Sequence, residues 1–139
     1  MSTGSPSKFN GDRDILISSR SGWTGNWGPV NDVDGEQGYD NLNGRGGDDF
    51  MKGNSGNDDL GTGSGSNWLN GLDDQDTLIG NATTSLNNVL SGDAGDDFID
   101  ARNGDDDAFI DGAAGEDTCL VDNADLAAGV VYRCEHINP

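Results

Sequence analysis

Residues 35–79 read GEQGYDNLN GRGGDDFMK GNSGNDDLG TGSGSNWLN GLDDQDTLI, five nine-residue units with no insertion between them. Asp40, Asp49, Asp58, Asn67 and Asp76 hold the sixth place of successive units, and Leu42, Met51, Leu60, Leu69 and Leu78 hold the eighth. Glycine fills the fourth place at Gly38, Gly47, Gly56 and Gly65. Six residues rich in Gly and Asp/Asn make a turn, because Gly tolerates positive φ and Asx side chains bond local backbone. The three that follow, such as Asn41, Leu42 and Asn43, alternate polar and apolar as a short half-buried strand does. One such unit cannot bury its single large side chain alone, so neighbours must stack to make a core.

The repeat resembles the RTX, or haemolysin-type, calcium-binding nonapeptide G-G-x-G-x-D-x-U-x. That resemblance implies an all-β fold, a right-handed parallel β-roll (a β-solenoid) with two short-stranded parallel sheets. Two units make one coil, and calcium is held between turns stacked on the same edge.

Composition agrees with a cation requirement. The chain has 139 residues, 32% of them hydrophobic, with 23 glycines and a formal net charge of −19, which places the metal-free chain near the disordered class. Calcium, a hard oxygen-seeking cation, suits such a sequence, whereas one His and two Cys cannot build a typical zinc site. This acidity argues against nucleic acid as a partner. No hydrophobic run is long enough to span a membrane, and residues 1–9 contain no signal-peptide core, so the export route is not visible in the sequence.

Taken in order, residues 1–8 read as a flexible lead and 9–34 as irregular first coils or an N-terminal cap. In the latter, Asp14 and Leu16 fall in the sixth and eighth places, Trp23 and Trp27 lie outside the pattern, and Asn31 and Val33 restore the phase. Residues 35–120 carry the repeats. The unit at 80–91 has three additional residues, keeping Asn88 and Leu90 in phase, and that at 101–111 has two, with Asp106 in the sixth place; 92–100 and 112–120 are clean. Residues 121–139 change composition and are expected to close the roll as a C-terminal cap. Cys119 and Cys134 either pair or stay free and buried. The tail looks like that of many bacterial RTX-like proteins, which favours a disulfide closing the cap and a setting outside a reducing cytosol.

If two units make a coil, the sixth places sort onto two edges. One holds Asp40, Asp58, Asp76, Asp97 and Asp117, with fourth-place glycines Gly38, Gly56, Gly95 and Gly115; the other holds Asn31, Asp49, Asn67, Asn88 and Asp106. The resemblance implies that these residues, with Asp14, contact several calcium ions. Affinity follows the number of charged oxygens, so the first edge is expected to bind more tightly. On the second edge, the alternative is that asparagines close metal-free turns as an amide ladder.

The outward seventh places are Asp32, Phe50, Trp68, Val89 and Phe109 on one sheet, and Asn41, Asp59, Thr77, Phe98 and Thr118 on the other. The stripe of Phe50, Trp68, Val89 and Phe109 is expected to be an interface, for a protein partner or self-association, or to be covered by the segment holding Trp23 and Trp27. Catalysis is not expected: His136 stands alone near the end, and pairs such as Asp48 and Asp49 recur with the repeat. The expected function is a calcium-folded, non-catalytic structural or interaction module of an extracellular or secreted bacterial-type protein. Alternatives are a virion or cell-surface component docking through the stripe, an ice-binding solenoid, and the repeat region of a secreted hydrolase. Against ice binding, Thr62, Thr77 and Thr118 make no regular row.

Overall fold

In the computed structural model of the chain, residues 7–8, 15–17, 32–44, 46–80, 87–104 and 107–139 are described. Each nine-residue unit carries the chain through half a coil and lays down one strand, so consecutive strands alternate between two parallel sheets. The first sheet runs β1 (Ser7–Lys8), β3 (Asp32–Asp34), β5 (Phe50–Ser55), β7 (Trp68–Asp73), β9 (Val89–Ala94), β11 (Phe109–Ala114), β13 (Val131–Tyr132). The second runs β2 (Ile15–Ile17), β4 (Asn41–Asn43), β6 (Asp59–Gly61), β8 (Thr77–Ile79), β10 (Phe98–Asp100), β12 (Thr118–Leu120), β14 (His136–Asn138). Together they form a β-solenoid of about five turns.

The register is the nonapeptide register. Val33, Met51, Leu69, Leu90, Ile110 and Val131 are successive partners in the first sheet. Leu16, Leu42, Leu60, Leu78, Ile99, Cys119 and Ile137 are successive partners in the second. Between Val33 and Cys119 every described member of both columns is buried, so the core is two facing rows of one side chain per strand. Such a core is one residue deep on each side, which leaves the turns to supply much of what holds the coils together.

The first-sheet strands are longer because pairing continues into the next turn. There Glu36, Asn54, Leu72, Asp93 and Ala113 all have φ between 71° and 86°. These are the places where the family pattern has its second glycine, and an L-residue in this conformation costs roughly 1–2 kcal/mol. Each sits in a turn paired to like turns in the neighbouring coils, which hold the left-handed backbone in place.

Beyond the repeats the chain continues the solenoid. A capping box at Asp122 and Asp125 starts helix α1 (Asn123–Ala128), Gly129 ends it in the left-handed region, and β13 and β14 then add one strand to each sheet. The disulfide expected between Cys119 and Cys134 is present. It joins the last core position of the repeats to the short turn between β13 and β14.

Candidate metal edges

The turns connecting the first sheet to the second stack into one edge, and those connecting the second to the first stack into the other. On the first edge, Asp58 Oδ1 accepts the backbone N–H of Asp40 at 2.8 Å, Asp76 Oδ1 that of Asp58 at 2.8 Å, and Asp97 Oδ1 that of Asp76 at 2.8 Å. Asp117 continues the ladder by accepting from Asp97 at 2.9 Å. One oxygen of each carboxylate thus bonds the coil before it. The other, Oδ2, is buried without a hydrogen-bond partner in Asp58, Asp76, Asp97 and Asp117.

A buried carboxylate oxygen with nothing to accept from is costly, so its surroundings show what the turn is built to hold. A methyl placed on Gly53 would meet Asp58 Oδ2 at 2.4 Å and the Gly71 carbonyl oxygen of the next coil at 2.8 Å. At Gly71 it would meet Asp76 Oδ2 at 2.2 Å and the Gly92 carbonyl at 2.8 Å. At Gly35, Asp40 Oδ2 and the Gly53 carbonyl both lie at 2.7 Å. Gly35, Gly53 and Gly71 therefore each leave room where a carboxylate oxygen and a carbonyl oxygen of the next coil converge. Calcium takes six to eight oxygens at roughly 2.3–2.6 Å, so this donor set fits it. Among the described residues no three acidic, Cys or His side chains form a metal cluster, so acidic side chains alone would not complete an ion's oxygen shell here, and main-chain carbonyls would have to contribute.

Without a cation these carboxylates sit far from their usual range. Burial, reinforced by neighbouring aspartates and only partly offset by the ladder hydrogen bonds, raises Asp58 and Asp97 to about 6 and Asp76 to about 8. Asp117 is raised as well, again chiefly by burial. The metal-free folded state thus holds protons that the unfolded chain releases near 4. This contribution to stability is present below about 4 and is lost as pH climbs through 6 to 8. Chelator-treated protein is therefore expected to gain strand signal in circular dichroism between pH 8 and pH 5. In calcium the same acidification should weaken binding, because protons compete for the same oxygens. Equal strand content at the two pH values in chelator would refute the burial argument.

The second edge keeps the same convergence at Asp49, where a methyl on Gly44 would meet Asp49 Oδ2 at 2.3 Å and the Thr62 carbonyl at 2.6 Å, but its middle is built differently. Asn67 Oδ1 accepts the Asp49 N–H at 2.9 Å, Asn88 Oδ1 that of Asn67 at 3.1 Å, and Asp107 Oδ1 that of Asn88 at 3.2 Å. Here the amides also bond along the ladder: Asn67 Nδ2 donates to Asn88 Oδ1 and to the Gly65 carbonyl, and Asn88 Nδ2 to Asp107 Oδ1. An Nδ2 stands where the aspartates present an unpartnered oxygen. The middle of this edge satisfies itself as an amide ladder, and carboxylates remain at Asp49 and Asp107.

Several expected positions need correction or lie beyond view. The sixth place of the unit at 101–111 belongs to Asp107, not Asp106; one of the two additional residues is Ala108, whose N–H, with that of Phe109, bonds the Asn88 carbonyl. Asp14, Asn31 and Asp106 lie outside the described residues, as do Trp23 and Trp27. Of the fourth-place glycines, Gly56, Gly95 and Gly115 lie against main-chain atoms of the coil before them. Three acids were missed. Asp107 is buried and raised to about 6, chiefly by burial. Asp125 accepts the Asp107 N–H at 2.9 Å, and Glu135 accepts the Asp117 N–H at 2.9 Å. A signal existed for two of them: Asp125 and Glu135 each stand 18 residues, one full coil, beyond their ladder neighbours Asp107 and Asp117.

The stripe is in register: Asp32, Phe50, Trp68, Val89 and Phe109 are successive partners in the first sheet. Phe50 and Trp68 have ring centroids 5.5 Å apart, Phe109 stacks on Tyr132 at 5.1 Å, and Trp68 is 49% exposed. Tyr132, from the cap, extends the stripe by one coil.

The family model of the RTX calcium-binding nonapeptide repeat, four copies long, matches residues 30–60, 61–84 and 83–119. No curated protein and no solved structure matches the chain.

Proposed function

Because the chain belongs to the RTX calcium-binding nonapeptide repeat family, a calcium-binding structural repeat module, we propose that its first edge carries its main calcium sites and that their filling drives folding. The observation that carries this reading is the buried, unpartnered Oδ2 of Asp58, Asp76, Asp97 and Asp117, with a neighbouring-coil carbonyl beside it at Asp58, Asp76 and Asp117. When bound, the ion supplies the positive charge that this edge lacks. The chain's own residues order the turns through the Oδ1 ladder and keep the cradles open with first-place glycines.

Titration calorimetry tests the assignment. Asp76→Asn should remove or weaken by at least tenfold one calcium site, because an amide nitrogen replaces the free oxygen. Asn67→Ala should leave calcium affinity nearly unchanged while lowering stability by about 1–3 kcal/mol through the lost ladder acceptor. Equal losses of calcium in the two variants would show that carbonyls alone set affinity.

The module works outside the reducing cytosol in this proposal, which is supported by the Cys119–Cys134 disulfide and by the usual setting of the family. Its role is structural and non-catalytic, with the first-sheet stripe as the surface for a protein contact. The half-exposed Trp68 against Phe50 favours that use. Trp68→Asp should leave the melting temperature of the calcium-loaded protein within a few degrees, as expected for an outward side chain, and abolish any concentration-dependent association in sedimentation. A large loss of monomer stability would instead mean that the chain covers its own stripe.

A further inference from the structure

The two ladders end differently at the C-terminal cap. On the second edge Asp125 is fully used: Oδ1 accepts the Asp107 N–H at 2.9 Å and Oδ2 accepts the Asp122 N–H at 3.2 Å inside the capping box. On the first edge only Arg133, Cys134 and Glu135 lie between Tyr132 and His136, whereas six residues, 112–117, lie between their register partners Asp111 and Thr118 in the coil before. Glu135 Oε2 takes the Asp117 N–H at 2.9 Å, yet Asp117 is completely buried and its own Oδ2 has no partner.

What faces that oxygen comes from the same short turn. A methyl on Gly112 would meet Asp117 Oδ2 and the Arg133 carbonyl oxygen, both at 2.4 Å, so the two oxygens lie within about 4.8 Å of each other, a span that one cation with oxygen distances of about 2.3–2.6 Å bridges. Arg133 cannot neutralise Asp117 with its side chain, because its guanidinium is engaged with Asp111, Nε lying 2.8 Å from Oδ1. Cys134, between the carbonyl donor and the ladder acid, is tied to Cys119, two residues beyond Asp117.

We propose that residues 133–135 complete a terminal calcium site with Asp117, and that the Cys119–Cys134 disulfide holds it, so that calcium at this end of the solenoid depends on oxidation. The proposal rests on the calcium reading above and adds donors that lie outside the nonapeptides. Within this three-residue turn the disulfide adds a covalent tie, at the residue after the Arg133 carbonyl, to the Arg133–Asp111 pair and to the strand pairing of β13 and β14 on either side. Reduction therefore releases one donor and the ladder acid together, while the coils before it keep their neighbours.

The test counts bound calcium in the full chain by equilibrium dialysis and titration calorimetry, oxidised and after a phosphine reductant, with circular dichroism on each sample. The oxidised protein should hold one more equivalent than the reduced protein, the last site weakening at least tenfold and the others keeping their affinities. Oxidised Asp117→Asn should lack the same equivalent, and reducing that variant should change nothing further. Equal calcium counts and affinities in oxidised and reduced protein overturn the proposal, as does a further loss when Asp117→Asn is reduced. If reduction unfolds the whole chain, oxidised Asp117→Asn and Glu135→Gln decide: full stoichiometry and affinity in both overturns it. Absence of any calcium binding to the oxidised protein overturns the calcium reading itself, whereas a failure confined to the last equivalent leaves that reading standing.

Discussion

Chelating calcium from the protein at neutral pH is expected to abolish the strand signal in circular dichroism and expand the chain in size-exclusion chromatography, and restoring calcium should reverse both. Charge and core together set the direction. The chain carries −19, and on the first edge five aspartates repeat along one ladder. Their buried oxygens repel one another across neighbouring coils unless a cation or a proton stands between them. The apolar core that must resist this is one side chain per strand. A site filled at a hundred times its dissociation constant adds about 2.7 kcal/mol, so two or three sites match the lower end of the roughly 5–15 kcal/mol that holds a typical domain folded. An unchanged strand signal and melting temperature in chelator would mean that the ladder and core suffice without metal.

Gly56→Ala should be among the most damaging single-methyl changes. Gly56 has φ +117°, and an added Cβ would lie 1.9 Å from the Gly38 carbonyl oxygen and 2.7 Å from its carbon, main-chain atoms of the coil before it. Neither atom can rotate away, so the coils must separate. The left-handed backbone costs an L-residue roughly 1–2 kcal/mol and forced overpacking about 1–3 kcal/mol more, giving a loss of about 3 kcal/mol or more in calcium-loaded protein. Gly104→Ala is the control: it too has positive φ, +87°, but its Cβ would meet nothing within 4 Å. Its cost should stay near 1–2 kcal/mol, from the backbone alone. Similar melting temperatures for the two variants would show that coil contact at Gly56 is looser than its stacking implies.

The nine-residue period was enough to place most of the architecture. A glycine- and Asx-rich sextet must turn, a polar–apolar–polar triplet must half-bury, and a period that repeats without insertion leaves stacking as the way to bury Leu42, Leu60 and Leu78 together. The alternation of units likewise sorted Asp40, Asp58, Asp76, Asp97 and Asp117 onto one edge, because which edge a turn occupies depends only on counting. Counting failed where an insertion could be absorbed on either side of a ligand: Asp106 and Asp107 are equal in sequence, and only the hydrogen bond from the Asn88 N–H selects Asp107. It failed again where composition changed, since Asp125 sits in a helical capping box and Glu135 in a three-residue turn, neither resembling a nonapeptide although each lies one coil beyond its neighbour. The difference between the edges also belongs to the tertiary structure. Sequence shows acid against amide, but only stacking at coil spacing makes an Asn67 Nδ2 find the next rung while an Asp76 Oδ2 is buried without a partner beside a carbonyl.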